Sequence, residues 1–155
     1  MFNVEAIGHV RSSRLRPDDD DWGAHASVIE LAPAFGEEAL LGLDGFSHIE
    51  VLFVFDRVVP EQIVRGARHP RNNPDWPLTG IFAQRAKMRP NRIGSTIARL
   101  VGVAGRQLHV LELDAIDGTP VLDIKPVMAG FLPRTPVIQP AWAGELMRAY
   151  WDVPG

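Results

Sequence analysis

The run His48-Ile49-Glu50-Val51-Leu52-Phe53-Val54-Phe55 is the most apolar stretch of the chain, and its reading decides the fold. Eight residues are too few for a buried helix. Val, Ile and Phe suit the pleated, half-buried surface of a sheet. The run therefore predicts a central strand. His48 at its start is expected to be a hydrogen-bonded structural histidine rather than a ligand. Asp56 and Arg57 stand at its C-terminal end.

Downstream, residues 80–94 read G-I-F-A-Q-R-A-K-M-R-P-N-R-I-G. Ile81 and Ala83 alternate with Phe82 and Gln84, which predicts a short strand. The pattern then breaks into a loop carrying Arg85, Lys87, Arg89 and Arg92. Arg89-Pro90-Asn91 reads as a turn, because Pro presets φ and Asn tolerates tight geometry. A further strand is expected from about Ser95. The chain carries a net charge of -3. Four cations in one short loop of an acidic chain are either well solvated or face an anion.

The remaining β signals lie on both sides of these two stretches. Residues 2–10 alternate loosely and predict a first strand. Residues 26–31 predict a second, with Val28 and Glu30 on one face. Residues 95–104 and 107–113 form a predicted hairpin around Ala104-Gly105-Arg106. Residues 114–118, D-A-I-D-G, make a tight loop, and residues 119–126 a short edge strand bounded by prolines. Two helices are expected, over 33–43 and 141–151. In the second, Trp142, Leu146 and Ala149 or Tyr150 recur at helical spacing, which reads as a packing stripe. Thirteen prolines and fourteen glycines punctuate the chain. The sum is an all-β chain: a small antiparallel or mixed β-barrel with one or two short helices. Its strand-end loops are expected to meet at one rim.

The loops add chemistry. Asp18, Asp19, Asp20 and Asp21 are consecutive, and consecutive carboxylates point apart rather than converge on a cation. They predict a solvated loop. Residues 58–79 form a long connection holding Arg68, His69 and Arg71; its prolines and Trp76 favour an ordered loop. These groups can join the basic loop downstream.

Composition excludes several classes. The chain has 155 residues, room for one domain with a real core. It has no cysteine, so disulfides and thiolate chemistry are out. Its five histidines show no short metal-ligand spacing, and no metal is expected. Dinucleotide, P-loop and serine-hydrolase motifs are missing. The N-terminus carries no signal-peptide pattern, and no apolar run is long enough for a membrane span. A cytoplasmic protein is the expectation. Its acidic balance argues against indiscriminate nucleic-acid binding. What remains is Arg-rich loops facing an Asp-rich one. That set suits a ligand with an anionic end, a diol or cationic part, and a flat ring.

Five motifs now stand in order: I-G-x-V-R-S from Ile7 to Ser12, G-L-D-G-F-S-H-I from Gly42 to Ile49, G-I-F-A-x-R, R-P-N-x-I-G, and L-D-A-x-D-G-T-P-V-L-D-I-K-P ending at Pro126. The chain resembles the TsaA-like/TrmO family of S-adenosylmethionine-dependent methyltransferases over this span. The resemblance implies that residues 1–155 are a single β-barrel domain. It implies S-adenosylmethionine as cofactor, a tRNA substrate and a homodimer. The implied reaction is N6-methylation of threonylcarbamoyladenosine beside the anticodon. By motif position, cofactor contacts fall on Asp56, Arg57, Arg85, Ser95, Glu112, Leu113 and Asp114. Arg71, Arg89 and Arg92 are assigned to substrate. The chain differs from the family pattern at Gln84, Ala86, Arg92 and Glu112, where Thr, Ser, Pro and Gly are usual.

Transfer to an N6 nitrogen calls for a hydrogen-bond acceptor or base, which makes Asp114 and Asp117 the catalytic candidates. Asp117 reads equally as a turn former before Gly118. Arg85 suits a carboxylate, and alternatively a rim salt bridge. Asp123 and Lys125 read as structural residues of a sheet edge. Two other functions stay open: a non-enzymatic barrel that binds the cofactor or RNA as an adaptor, and a metal-dependent hydrolase using Asp114, Asp117 and Asp123.

Overall fold

The computed structural model describes residues Met1–Gly155. Its centre is a closed barrel of six antiparallel strands. These are β1 (Gly8–Arg11), β2 (Ala26–Leu31), β3 (His48–Val54), β6 (Ile93–Ala104), β7 (Gln107–Leu111) and β8 (Pro120–Pro126). They run around the barrel in the order β1-β2-β7-β6-β3-β8, and β8 returns to β1. A separate two-stranded ladder, β4 (Ala67–Arg68) and β5 (Thr79–Gly80), brackets the long connection. The single α-helix, α1, spans Ala141–Leu146.

The period-2 pattern of β3 explains its central place. Ile49, Val51 and Phe53 point inward and are almost wholly buried. Glu50, Leu52 and Val54 face outward, half-buried. β6 lies along one side of β3, pairing His48 with Arg99 through Val54 with Ile93. β8 lies along the other. Val10, Ile29, Leu31, Ala98, Leu100, Leu108, Val110 and Val121 complete the interior. Each large side chain among them stabilises by about 1.5–3 kcal/mol through removal from water. Gly94 is required where it stands: a Cβ there would lie 2.6 Å from the Phe53 ring.

The β6–β7 hairpin turns at Gly105, with φ of 60°, as its sequence predicted. The structure corrects five other expectations. The first strand begins at Gly8, so all of residues 2–7 precede it. β8 is no edge strand; it bonds to β3 and to β1, and that closes the barrel and removes its edges. Its prolines sit at the strand's two ends, where a missing N–H is tolerated. Residues 81–83 are a 3-10 turn, not a strand. The expected helix over 33–43 is two short 3-10 turns, Glu37–Leu40 and Leu43–Gly45, separated by Gly42 at φ of 86°. The C-terminal helix stops at Leu146 and continues as turns to Trp151.

Those last turns are held firmly. The amides of Asp21, Trp22 and Gly23 donate to the carbonyls of Ala149 (3.1 Å), Tyr150 (2.8 Å) and Asp152 (3.0 Å). A Cβ on Gly23 would lie 2.1 Å from the Trp151 carbonyl oxygen, so glycine is what lets the two segments meet. Trp76 Nε1 donates to Glu145 Oε2 at 2.8 Å and ties α1 to the long connection. No helix is long and apolar enough to cross a membrane.

Candidate active site

At one rim of the barrel opens a cleft of about 1340 Å³. It runs from the rim onto the outer face of β6, where Ile93, Ser95 and Ile97 alternate outward. Its other walls are the segment after β3, the basic loop, the loop after β7, the acidic loop and the C-terminal segment. The strand-end loops thus meet as expected. Such a volume exceeds the roughly 300–1,000 Å³ usual for one small ligand.

Asp114 stands where these walls converge. It lies in the loop after β7, next to Leu113, whose buried side chain anchors that loop in the core. Its carboxyl group accepts hydrogen bonds from Thr96 Oγ1 on β6 and from Tyr150 Oη on the C-terminal segment. Burial, and next the carboxylate of Asp114, push the Tyr150 phenol far above its ordinary range; Arg71 and Arg85 oppose the shift from a distance. Tyr150 is therefore a donor at any physiological pH.

The cations are pinned at the rim. Arg85 donates to the Ser95 carbonyl oxygen. Arg57 Nη1 donates to the Leu15 carbonyl at 3.0 Å. Arg89 donates to the Gln84 carbonyl. Arg71 pairs with Asp20 at 3.0 Å and more loosely with Asp19 at 3.9 Å. A guanidinium has five N–H donors, so these bonds orient each group and leave others for a ligand.

Among the expected site residues, Asp56, Arg57, Arg71, Arg85, Arg89, Ser95 and Asp114 line the cleft. Glu112, Leu113, Asp117 and Arg92 do not. Glu112 adopts φ of 65° and accepts from the Ala24 amide at 3.4 Å. Asp117 Oδ1 accepts from the Ser12 amide at 3.0 Å, and its own amide donates to the Arg14 carbonyl at 2.8 Å. That is the turn-forming role, and it stitches the loop to the exit of β1. Arg92 Nη1 donates to the Val58 carbonyl at 2.6 Å and braces the end of β3. Asp123 bonds Lys125 at 2.6 Å on β8. Asp114, Asp117 and Asp123 thus each serve a different partner and do not converge.

Sequence reasoning missed Thr96, Tyr150 and the part played by Gln84. Thr96 is signalled only by facing inward at the rim end of a strand. Tyr150 belongs to a stripe that reads as packing. Gln84 is buried, and its Nε2 donates to the carbonyls of Arg68 (2.9 Å) and Thr79 (2.8 Å). It staples β4 and β5 to the basic loop. The acidic run is more than solvated surface. Arg14 donates to the carbonyls of Asp20 and Asp21 and lies 3.6 Å over the Trp22 ring. Trp22 is buried there.

A closed six-stranded barrel with a mixed-charge cleft at its rim places the chain among small β-barrel proteins. This chain belongs to the tRNA-methyltransferase O N-terminal domain family, whose model matches residues 15–131. It is 37% identical over 137 residues to the tRNA (adenine(37)-N6)-methyltransferase of Escherichia coli, covering 82% of this chain and 58% of that one. It is 42% identical over 130 residues to RcsF of Pseudomonas aeruginosa, covering 80% and 56%. The crystal structure of TrmO from Pseudomonas aeruginosa superposes with a TM-score of 0.73 at 30% identity, covering 92% of this chain and 62% of that one. The chain spans little more than half the length of these bacterial relatives.

Proposed function

We propose that this protein binds S-adenosylmethionine in the rim cleft and methylates N6 of the adenosine at tRNA position 37, with threonylcarbamoyladenosine as the acceptor. The observation that carries the proposal is that Asp114, Arg57 and Arg85 line one cleft of a family member. The residues suit the cofactor. Arg57 or Arg85 matches its carboxylate, and a two-pronged contact adds strength. Asp56 is the acceptor at hand for a ribose diol. Phe55, Ile93 and Ile97 offer apolar surface for the adenine. The volume leaves room for part of a second ligand beside it.

When bound, S-adenosylmethionine supplies an electrophilic methyl group. The protein's task is to hold the acceptor nitrogen in line and to take its proton. In this reading Asp114 accepts that proton. Arg71, Arg89 and the neighbouring Lys87 form the basic wall that meets an RNA backbone or a threonyl carboxylate. Arg92, Glu112, Leu113 and Asp117 support the loops that carry these residues. We read residues 1–155 as one domain acting in the cytoplasm, where its tRNA substrate is found. Val101, exposed on β6 outside the cleft, is in keeping with a homodimer.

The test is calorimetric titration with S-adenosylmethionine and its demethylated product. It is paired with methyl transfer to tRNA that carries or lacks threonylcarbamoyladenosine. Micromolar binding with transfer only to the modified tRNA supports the proposal. Binding without transfer to either tRNA favours the non-enzymatic barrel. No binding by folded protein removes the cofactor reading.

A further inference from the structure

The family match ends at Phe131, yet the chain that follows forms a wall of the cleft. Three backbone hydrogen bonds to residues 21–23 and the Trp76–Glu145 bond fix this segment at separate points. Trp142, Leu146 and Met147 face the cleft from it. Only Tyr150 reaches the polar centre, where its hydroxyl donates to Asp114.

We propose that Tyr150 is a positioning residue for Asp114, so that the C-terminal segment completes the reaction site. The inference rests on the methyltransferase reading above. An aspartate carboxyl group rotates freely about its last torsion, which has broad minima. A base must aim a lone pair at the proton it takes. Thr96 and Tyr150 each donate to a different oxygen of Asp114, Oδ1 and Oδ2. Held at both oxygens, the carboxyl plane is set, and its remaining lone pairs are aimed rather than averaged. Phenylalanine would fill the same space without doing this. The arrangement also explains the glycine at position 23, which admits the Trp151 backbone and so delivers its neighbour Tyr150.

Tyr150 is the only tyrosine in the chain, so its ionisation can be read directly from phenolate absorbance. In the folded wild-type protein the phenol should ionise well above its usual value of about 10, or only as the fold is lost. Asp114→Asn should bring it back toward that value, because the charge is gone while burial stays. A phenol that titrates normally in the folded wild type overturns the contact. Tyr150→Phe should lower kcat about tenfold. KM for S-adenosylmethionine should stay within about twofold, because ground-state binding is untouched. An unchanged kcat in Tyr150→Phe, beside an active wild type, overturns the positioning role alone. A wild type that neither binds the cofactor nor transfers methyl overturns the methyltransferase reading, and the positioning role with it.

Discussion

The barrel and the cleft are held together by different interactions. The barrel is built from strand ladders and from inward apolar residues such as Ile49, Val51 and Phe53. The cleft is built from side chains bonded to distant backbone: Gln84 to Arg68 and Thr79, Arg92 to Val58, Arg57 to Leu15. Burial is non-directional and spreads over many residues, so the barrel depends on filled volume rather than on any single bond. A hydrogen bond depends on angle and on single partners, and so does the cleft. Shape and chemistry are therefore separable in this molecule. Mutations in one region should leave the other's readout largely alone.

The largest effect is expected at Phe53. Its ring is wholly buried and lies against Gly94. Phe53→Ala should destabilise the protein by about 3–5 kcal/mol, measured by urea unfolding. A loss below about 1 kcal/mol would mean the barrel interior is not the source of stability. Arg85→Ala should do the reverse. It is exposed, so the unfolding midpoint should barely move, while S-adenosylmethionine affinity falls by about 1.5–3 kcal/mol. Calorimetry on the folded variant decides it: unchanged affinity would remove Arg85 from the site.

The smallest effect is expected at His25. Burial, and next the nearby Arg14 charge, hold its pKa below the usual 6.5. Ser12 Oγ lies 2.8 Å from its Nε2. The unfolded chain therefore binds a proton more readily than the folded one. Stability from this group is full above about pH 6.5 and is lost as pH falls through the folded value. Thermal midpoints should drop slightly toward acid pH, and His25→Asn should flatten that slope. An identical slope in the variant would place the acid sensitivity elsewhere.

The same contrast explains what could be read from the chain. β2, β3 and the β6–β7 hairpin were legible because each carries its own period of two and its own turn residues. β8 was misread as an edge because its partner β1 lies more than a hundred residues away in sequence. Residues 81–84 alternate like a strand, yet the fold makes them a turn. There the Gln84 side chain donates to the carbonyls of Arg68 on β4 and Thr79 on β5. The rim residues Asp56, Arg57, Arg85, Ser95 and Asp114 were legible through family motifs. Tyr150 was not, because an aromatic in a helical stripe looks the same whether it packs or donates.

The sequence by itself determined that this is an all-β chain, where its main strands run, that it has no thiol chemistry, and which motifs tie it to its family. All of these follow from local patterns of residue type. Only the tertiary structure decided that β8 closes the barrel, that Asp117 stitches a loop while Asp114 faces the cleft, and that the C-terminal segment brings Tyr150 to Asp114. Those outcomes depend on groups far apart in the chain meeting at hydrogen-bonding distance. Local residue patterns carry no record of such meetings.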